Sequence, residues 1–478
     1  MARPNLQTTL MVLSILGVTT ALALFSEHIH VNSGFGWDGG IYGTLALRFE
    51  QVLSGGDPPY PVSYYRYLPS ALAFVVLKLT GLPRTPQSAV TAFTAVNVIF
   101  YSLAALAWGR VAKAVGLTGC GAWLGLICLF GNYAVMKYSF YYPILTDGLA
   151  LAMSVFLLHD YVLGRRIRLA VISVLGFFIW PVLPLVGALL WLFPVKPAAP
   201  GTKPTPAFTW PVFLAAAATI LVMVNAKPIW PDNLDSQFYP TLPLGIGLAS
   251  VYVFFLLWGI LQAPGLLDAG RNRREMILVG LLAAASATII LVPQPMGGKY
   301  AAILQDYVRV GFINGIRRPG EFLVAHTLYF GPVVLLAACL APRASAAMGR
   351  FGWGLALVLV LLGYQAVNPL SRQCLILLPF LILPTVMAVD TLRPPVSFTV
   401  FFGFLSVLIS KVWYQIGYGL DPSIPGDQDP VFWPRYVSST GYWMKTEQYY
   451  VQGLLIMVVL IFLFLYLRGL PCSPEEDR

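Results

Sequence analysis

Long apolar runs recur along the whole chain, and they restrict its fold more than any other feature of the sequence. Most runs have about 17 to 20 residues, which is the length that an α-helix needs to cross a bilayer. The chain is 58% hydrophobic and 10% charged, and its mean hydropathy is +0.74. We therefore predict an all-α polytopic membrane protein, a transmembrane helical bundle of about 14 spans with both termini on the cytoplasmic side.

The net charge of +10 is carried mostly by cations in the short loops between apolar runs. Two predicted crossings, 91–109 and 147–163, end in basic clusters at 110–113 and 165–168, and such clusters usually face the cytoplasm. In this position the cations indicate contact with anionic membrane lipids rather than with nucleic acid. The five cysteines and four histidines are dispersed without ligand spacing, so we expect no cofactor and no metal.

Placing the basic clusters in the cytoplasm fixes the rest of the topology. The first span, 9–25, then leads outward, so the first outer loop, 26–90, lies on the non-cytoplasmic face. The apolar segment 68–82 within it is short and bounded by prolines. We predict an interfacial or re-entrant helix there, because a full crossing would place the cluster at 110–113 outside. Residues 169–195 are predicted to form two half-spans that turn at Trp180 and Pro181.

Two modules follow from this topology. Residues 1–195 form a core module that contains the first outer loop, and residues 196–478 form a variable transmembrane module. The second module carries two long outer loops, 294–324 and 413–449. Its predicted spans include 209–226, 241–262, 276–293 and 325–341.

The first outer loop contains the leading catalytic candidate, Asp38, in the segment Trp37-Asp38-Gly39-Gly40-Ile41-Tyr42. An acid directly beyond a first span suits base chemistry on a sugar hydroxyl at the membrane surface. The alternative is that Asp38 only caps a short helix that starts near Ile41. Asp147 occupies a similar position at the start of the crossing 147–163, and it too could be only an N-cap.

Several cations fall on the outer side against the positive-inside trend, and these suit a lipid phosphate. Arg317 and Arg318 could instead form a solvated turn, and Arg372 could extend to lipid headgroups. Tyrosines and tryptophans in the outer loops could bind sugars or could form the usual interfacial belt. The cations concerned are Lys299, Arg317, Arg318 and Arg372.

A sugar donor would have to reach the outer face already activated. The sequence has no Walker A motif and no Gly-rich strand–helix turn for a nucleotide, and its cytoplasmic loops are too short for a nucleotide-sugar domain. A sugar linked to a polyprenyl phosphate meets this requirement, since the phosphate leaves when the acceptor attacks.

The chain resembles the GT-C superfamily of integral-membrane glycosyltransferases, especially the polyprenyl-phosphate-sugar-dependent mannosyltransferase-like and arabinosyltransferase-like enzymes. The resemblance is carried by the Asp38 segment, by the passage from Gly56 to Pro69, by Leu145 to Leu151, and by Ser371 to Pro379. In the last segment Gln373 replaces the aromatic residue of the family pattern. The resemblance is strongest over about the first 200 residues, and it implies a GT-C-like fold with interfacial helices in the first outer loop.

The resemblance implies that Asp38 is the catalytic residue. The acidic doublet of the family is absent because Gly39 follows Asp38, so Asp38 could act alone or with Asp57 or Asp147. The remaining candidates are predicted to bind substrate: Asp147, Asp57, Arg66, Tyr64, Tyr65, Tyr142, Lys299, Arg317, Arg318 and Arg372.

The function expected is an inverting transfer of a sugar from a polyprenyl-phosphate donor to an acceptor on the non-cytoplasmic face. The sequence leaves the acceptor open between a glycan, a lipid and a protein. The membrane expected is the bacterial inner membrane. The alternative function is a transporter or flippase of lipid-linked or amphipathic substrates, which would place ionisable residues near the bilayer midplane.

Overall fold

A computed structural model describes residues 5–55, 66–195, 240–267, 273–281, 313–437 and 441–470. Within these ranges every regular element is a helix, which agrees with the predicted all-α class. A further helical stretch covers 273–281. The helices are α1 (Leu6–Phe25), α2 (Gly39–Leu53), α3 (Tyr67–Thr80), α4 (Pro86–Val115), α5 (Gly119–Phe130), α6 (Ala134–Tyr141), α7 (Asp147–Val162), α8 (Arg166–Phe177), α9 (Leu183–Leu192), α10 (Leu242–Leu261), α11 (Glu321–Phe330), α12 (Val333–Cys339), α13 (Ala341–Met348), α14 (Trp353–Gln365), α15 (Ser371–Thr391), α16 (Val396–Ser410), α17 (Phe432–Tyr436) and α18 (Thr446–Arg468).

Side-chain caps define where several of the membrane helices begin. Asn5 accepts a hydrogen bond from the Thr8 N–H at the start of α1, and Thr85 accepts one from the Ser88 N–H at the start of α4. Thr118 caps α5 in the same way. Each cap satisfies a backbone donor that the first helical turn leaves unpaired, and such a cap stabilises a helix by about 1 kcal/mol.

Within the described ranges, five helices are long and apolar enough to cross a membrane: α1, α4, α10, α15 and α18. The pair α5 and α6, bent by 50°, makes a sixth if it is one span. Shorter apolar helices are α3, α9, α14 and α16. The protein therefore has the helices of a membrane protein, while the number of about 14 spans stays a prediction. The predicted span 209–226 and most of 276–293 lie outside the described residues.

The direction of the first helices places the first outer loop at one end of the bundle. Helices α1 and α4 are antiparallel neighbours, since Thr8 lies against Gly109 while Gly34, just beyond α1, lies against Val90. The intervening chain therefore leaves and returns at the same end. Helices α2 and α3 lie within it side by side, and the predicted segment 68–82 corresponds to α3. The absence of a net crossing between α1 and α4 agrees with the prediction that 68–82 does not cross the membrane.

We call this end of the bundle the site end, and the end that contains Asn5 the opposite end. Helices α5 and α6 run toward the site end, and α7 returns from it, as the predicted crossing 147–163 requires. Both ends of the bundle carry basic residues, and those at the opposite end lie at the ends of α4, α7, α13, α15 and α18 and at the starts of α8 and α13. They are Arg110, Lys113, Arg165, Arg166, Arg168, Arg343, Arg350, Arg393 and Arg468.

Two predicted spans can be compared with the helices directly. Residues 169–195 form the two short helices α8 and α9 with a turn at Trp180 and Pro181, as the sequence predicts. The predicted span 325–341 is not a single helix, because the chain breaks between α11 and α12 at Gly331 and Pro332. Gly331 has φ +81°, and proline does not supply the N–H that would continue the helical hydrogen bonds.

The buried core connects residues from both predicted modules. Trp108 of α4 is fully buried and packs into the space left by Gly125 of α5, and its indole N–H donates to the Ala122 carbonyl. Helix α15 packs against α5 and α7, which brings its first residues beside the first outer loop. The proposed boundary at 195/196 adjoins residues outside the described ranges, so the division into two modules stays a prediction.

Candidate functional site

Three charged side chains from distant parts of the sequence meet at the site end. Arg372 Nε donates to Asp147 Oδ1 at 2.7 Å, and Arg372 Nη1 donates to Asp38 Oδ2 at 3.1 Å. The exposed fraction of the side chain is 3% for Asp147, 22% for Arg372 and 65% for Asp38. The guanidinium thus bridges a buried carboxylate and one that is open to the surroundings of the protein.

Asp38 stands at the N-cap position of α2, yet its side chain makes no capping hydrogen bond. Capping therefore does not account for this residue, because its carboxylate points to Arg372 instead. Asp147 is the first residue of α7, where Thr146 takes the N-cap position. Its Oδ2 atom is buried without a hydrogen-bond partner among the described residues. An acid at a helix start is also favoured by the helix dipole.

The start of α2 is fixed by close packing against Tyr142. The Gly39 N–H donates to the Tyr142 hydroxyl at 2.8 Å, and a Cβ atom at Gly39 would lie 2.8 Å from the Tyr142 ring. The two glycines after Asp38 suggest a close approach to substrate, but the approach at Gly39 is to this tyrosine. Burial raises the pKa of Tyr142 above its ordinary value, although the bond from Gly39 lowers it, so the hydroxyl stays protonated.

Aromatic rings surround the charged cluster. Trp37 stacks on Trp433 of α17 with 5.3 Å between ring centroids, and it also contacts Tyr142 and Tyr436. Burial raises the pKa of Tyr436 well above its ordinary value, so this hydroxyl is neutral as well. By sequence alone, the rings of the last outer loop suit either sugars or the membrane belt. Their specific position beside Asp38 is not encoded in any local motif.

Hydrogen bonds to Glu27 attach the last outer loop to the end of α1. Glu27 accepts hydrogen bonds from Lys137 and from the backbone N–H groups of Ile416 (2.7 Å) and Gly417 (2.8 Å). Burial alone would raise the pKa of Glu27, but these hydrogen bonds outweigh burial and the net shift is downward. Glu27 therefore remains charged and connects the end of α1, α6 and the segment after α16.

Arg66 lies near the site but does not pair with Asp38 in this structure. Its Nη1 atom donates to the Tyr42 hydroxyl at 3.2 Å, and its guanidinium lies 4.6 Å from the centroid of the Trp180 ring. The cation that pairs with Asp38 is Arg372 instead. The candidates Asp57, Tyr64, Tyr65 and Lys299 lie outside the described residues.

Arg317 and Arg318 do not form a solvated turn. Both donate to Glu321, at 3.2 and 3.1 Å, and Glu321 is fully buried. Arg318 also donates to the Met444 carbonyl at 2.8 Å and joins the start of α11 to the start of α18. The missed partner has a sequence signal, since Glu321 follows the arginines at the i+3 and i+4 spacing of helical ion pairs. Whether either arginine binds substrate stays a prediction.

His326 is a satisfied core residue, as its apolar surroundings in the sequence favour. Its Nδ1 atom lies 2.9 Å from Ser371 Oγ, and its Nε2 atom lies 2.7 Å from the Ala366 carbonyl oxygen. Because a carbonyl oxygen can only accept, Nε2 carries the proton in this network. The bond to Ser371 fixes the residue directly before Arg372 and so helps to place the guanidinium.

Comparisons with protein-family models, with curated proteins and with solved structures gave no match. Within the described ranges no group of three or more His, Cys, Asp or Glu side chains is placed to hold a metal ion. The chemistry of the site is thus considered from its own residues. An exposed carboxylate can accept a proton, and an arginine held by a buried carboxylate can bind an oxyanion.

Proposed function

We propose that this protein is an inverting glycosyltransferase that moves a sugar from a polyprenyl-phosphate donor to an acceptor. The observation that carries the proposal is the bridge from Arg372 to Asp38 and Asp147. It gathers a base and an anion-binding group at one end of a membrane helix bundle. The resemblance of the sequence to GT-C enzymes adds to this proposal.

Asp38 is the catalytic base in this proposal. Its carboxylate takes the proton from the acceptor hydroxyl while the acceptor oxygen attacks the anomeric carbon of the donor. The bond between that carbon and the phosphate oxygen breaks, and the polyprenyl phosphate leaves with the electron pair. The anomeric configuration inverts because the acceptor attacks from the face opposite the leaving group. An alkyl phosphate is a good leaving group, so a carboxylate suffices as the base.

Arg372 is the residue that binds the phosphate. A guanidinium has five N–H donors in a fixed planar arrangement. The bonds to Asp147 and Asp38 use only one donor each, and the side chain is partly exposed. The remaining donors suit phosphate oxygens, and their charge stabilises the negative charge that develops as the donor bond breaks. Asp147 is the positioning residue, since it holds Nε from within the protein.

The site end faces away from the cytoplasm in this proposal. The short basic segments after α4 and α7 lie at the opposite end and support that orientation, because short cytoplasmic loops are usually rich in Lys and Arg. A donor dissolved in the membrane would then bring its phosphate to Arg372 and its sugar to Asp38 from the non-cytoplasmic leaflet. The bacterial inner membrane is the proposed location.

The direct test uses purified protein in nanodiscs with polyprenyl-phosphate donors carrying radiolabelled mannose, glucose or arabinofuranose. As acceptors, the envelope fractions of the cells that make the protein are added, since they include glycans, lipids and proteins. Transfer should move label to one fraction and release one polyprenyl phosphate for each sugar moved. In proteoliposomes a flippase would instead move the intact donor between leaflets. Flipping without any cleavage of the donor would contradict the proposal.

A further inference from the structure

Two tryptophans form an open aromatic surface directly beside Asp38. The indole rings of Trp37 and Trp433 stack with 5.3 Å between centroids and 25° between planes. Their exposed fractions are 37% and 41%, so a large part of each ring is uncovered. The rings come from the first outer loop and from α17, which are nearly four hundred residues apart along the chain. We call Trp37 and Trp433 the tryptophan pair.

The tryptophan pair is held in place from beneath and from the side. Phe432 and Tyr436 are buried and lie 6.0 and 5.2 Å from the Trp37 ring centroid. The Trp433 indole N–H donates to the Asp427 carbonyl at 2.8 Å. A surface fixed by such contacts is preorganised, so a ligand that covers it loses little binding energy to ordering the protein.

We propose that the tryptophan pair is the acceptor site and that the acceptor is a carbohydrate. The acceptor role rests on the proposed function, because it takes its position from Asp38. A hydroxyl that transfers its proton to Asp38 must lie within about 2.6–3.2 Å of the carboxylate. The body of the acceptor then lies over the neighbours of Asp38, and the uncovered neighbour is the tryptophan pair.

The chemistry of this surface matches a sugar ring better than an acyl chain or a peptide. A pyranose has a flat face of C–H groups, which suits an indole face, and a rim of hydroxyls. Polar groups for that rim lie at the edge of the pair. Asp427 lies there, since its backbone carbonyl accepts from the Trp433 indole N–H, and Trp37 carries its own indole N–H. Tryptophans of a membrane belt contact lipid individually, whereas these two cover each other beside a carboxylate.

The test is saturation-transfer-difference NMR on the full-length protein in nanodiscs. The probe is the pool of neutral oligosaccharides released by mild acid from the envelope of the cells that make the protein. Wild-type protein should transfer saturation to saccharide C–H protons. Trp433→Ala should lose most of this signal, and Trp433→Phe should keep much of it because the ring face remains. Trp413→Ala is the matched control, since Trp413 is an exposed tryptophan near the site end outside the pair.

Transfer kinetics with the same pool provide the second readout. Trp433→Ala should raise the acceptor KM about tenfold with kcat little changed, which is the pattern of lost binding rather than lost chemistry. No saccharide signal with wild-type protein, or an equal signal with Trp433→Ala, would overturn the proposal. A Trp433-dependent signal in a protein that cleaves no polyprenyl-phosphate donor would refute the proposed function and the acceptor role together, but would leave a carbohydrate site. Sugar transfer with the same acceptor KM in Trp433→Ala and wild-type protein would refute the acceptor site but not the proposed function.

Discussion

Asp38 and a donor phosphate compete for Arg372 if the account of the site is right. In the absence of donor, one carboxylate oxygen of Asp38 accepts from Nη1 of Arg372 at 3.1 Å. A phosphate bound to the remaining guanidinium donors brings a second negative charge close to the Asp38 carboxylate, so the two anions repel each other and compete for the charge of Arg372. We therefore predict that Asp38→Asn loses most of its transfer activity but binds a polyprenyl phosphate more tightly than the wild-type protein does.

The size of this effect follows from the exposure of the pair. Two unit charges 4 Å apart interact with about 1 kcal/mol in water and about 4 kcal/mol at an effective dielectric constant near 20. The Asp38 side chain is 65% exposed, so the lower limit applies. Measured exposed ion pairs contribute about 0.2–1 kcal/mol. Removing the competing charge should thus tighten binding by about 1.4-fold to fivefold.

The assay is equilibrium binding of undecaprenyl phosphate to protein in nanodiscs, with inorganic phosphate as a competitor to separate headgroup binding from lipid binding. Arg372→Ala should weaken binding by about 1.5–3 kcal/mol, the size of a charge-assisted hydrogen bond. Asp421→Asn is the matched control, since Asp421 is an exposed aspartate of the last outer loop whose side chain accepts from Ser423. Unchanged or weaker binding by a folded Asp38→Asn protein would refute the competition.

Three further predictions concern stability and orientation. Arg318→Ala should lower the stability by about 3 kcal/mol, because Glu321 loses a buried partner; a wild-type melting temperature would contradict this, and the donor affinity of the variant tests whether Arg318 also binds the phosphate. The pKa of Glu27 is lower in the folded state than the unfolded value of about 4.3, so its contribution to stability is present above that pH and is lost as the pH falls through the folded pKa. Melting curves from pH 6 to about 3 should show this loss, and Glu27→Gln should remove that part of the pH dependence; an identical pH profile in the variant would contradict it. Cysteines at Ser54 and Asp421, in a background without native cysteines, should react with an impermeant thiol reagent in intact cells, whereas one at Lys113 should react only after permeabilisation; the reverse pattern would invert the bundle.

The sequence identifies the members of the charged cluster but not their contacts. Asp38 is conspicuous after the first span, Asp147 opens a helix, and Arg372 precedes an apolar run. The Arg372–Asp38 bond joins residues 334 positions apart, and no local pattern encodes such a pairing. The sequence position of Asp38 at a helix start is compatible with a capping role. Only the direction of its side chain, toward Arg372, excludes that role.

Local signals account for what was predictable in the fold. Apolar length gives the helices, and the Trp180–Pro181 turn between two short apolar runs gives α8 and α9. The break at Gly331 and Pro332 also has a local signal, because a Gly-Pro dipeptide interrupts helices. The apolar run continues on both sides of the dipeptide, so its length still predicts a span. The buried position of Glu321 was missed because charge next to Pro and Gly is usually solvated. Tertiary packing against α18 reverses that tendency here.

The position of the last outer loop was beyond local reasoning. Its tryptophans and tyrosines are compatible with an interfacial belt, and nothing in their spacing relates them to residue 37. Glu27 decides the arrangement through backbone N–H groups of Ile416 and Gly417, which carry no sequence identity. Contacts of this kind depend on the complete fold and have no composition signal.

The most direct measurement of the central claim is the single-turnover rate of sugar transfer by wild-type protein and by Asp38→Asn. The variant keeps the size of the side chain and removes its basicity. The account predicts transfer with inversion by the wild type and a rate lower by about 10²-fold or more in the variant, the usual effect of losing a general base. An Asp38→Asn protein with a wild-type melting temperature and near-wild-type transfer would show that Asp38 is not the base.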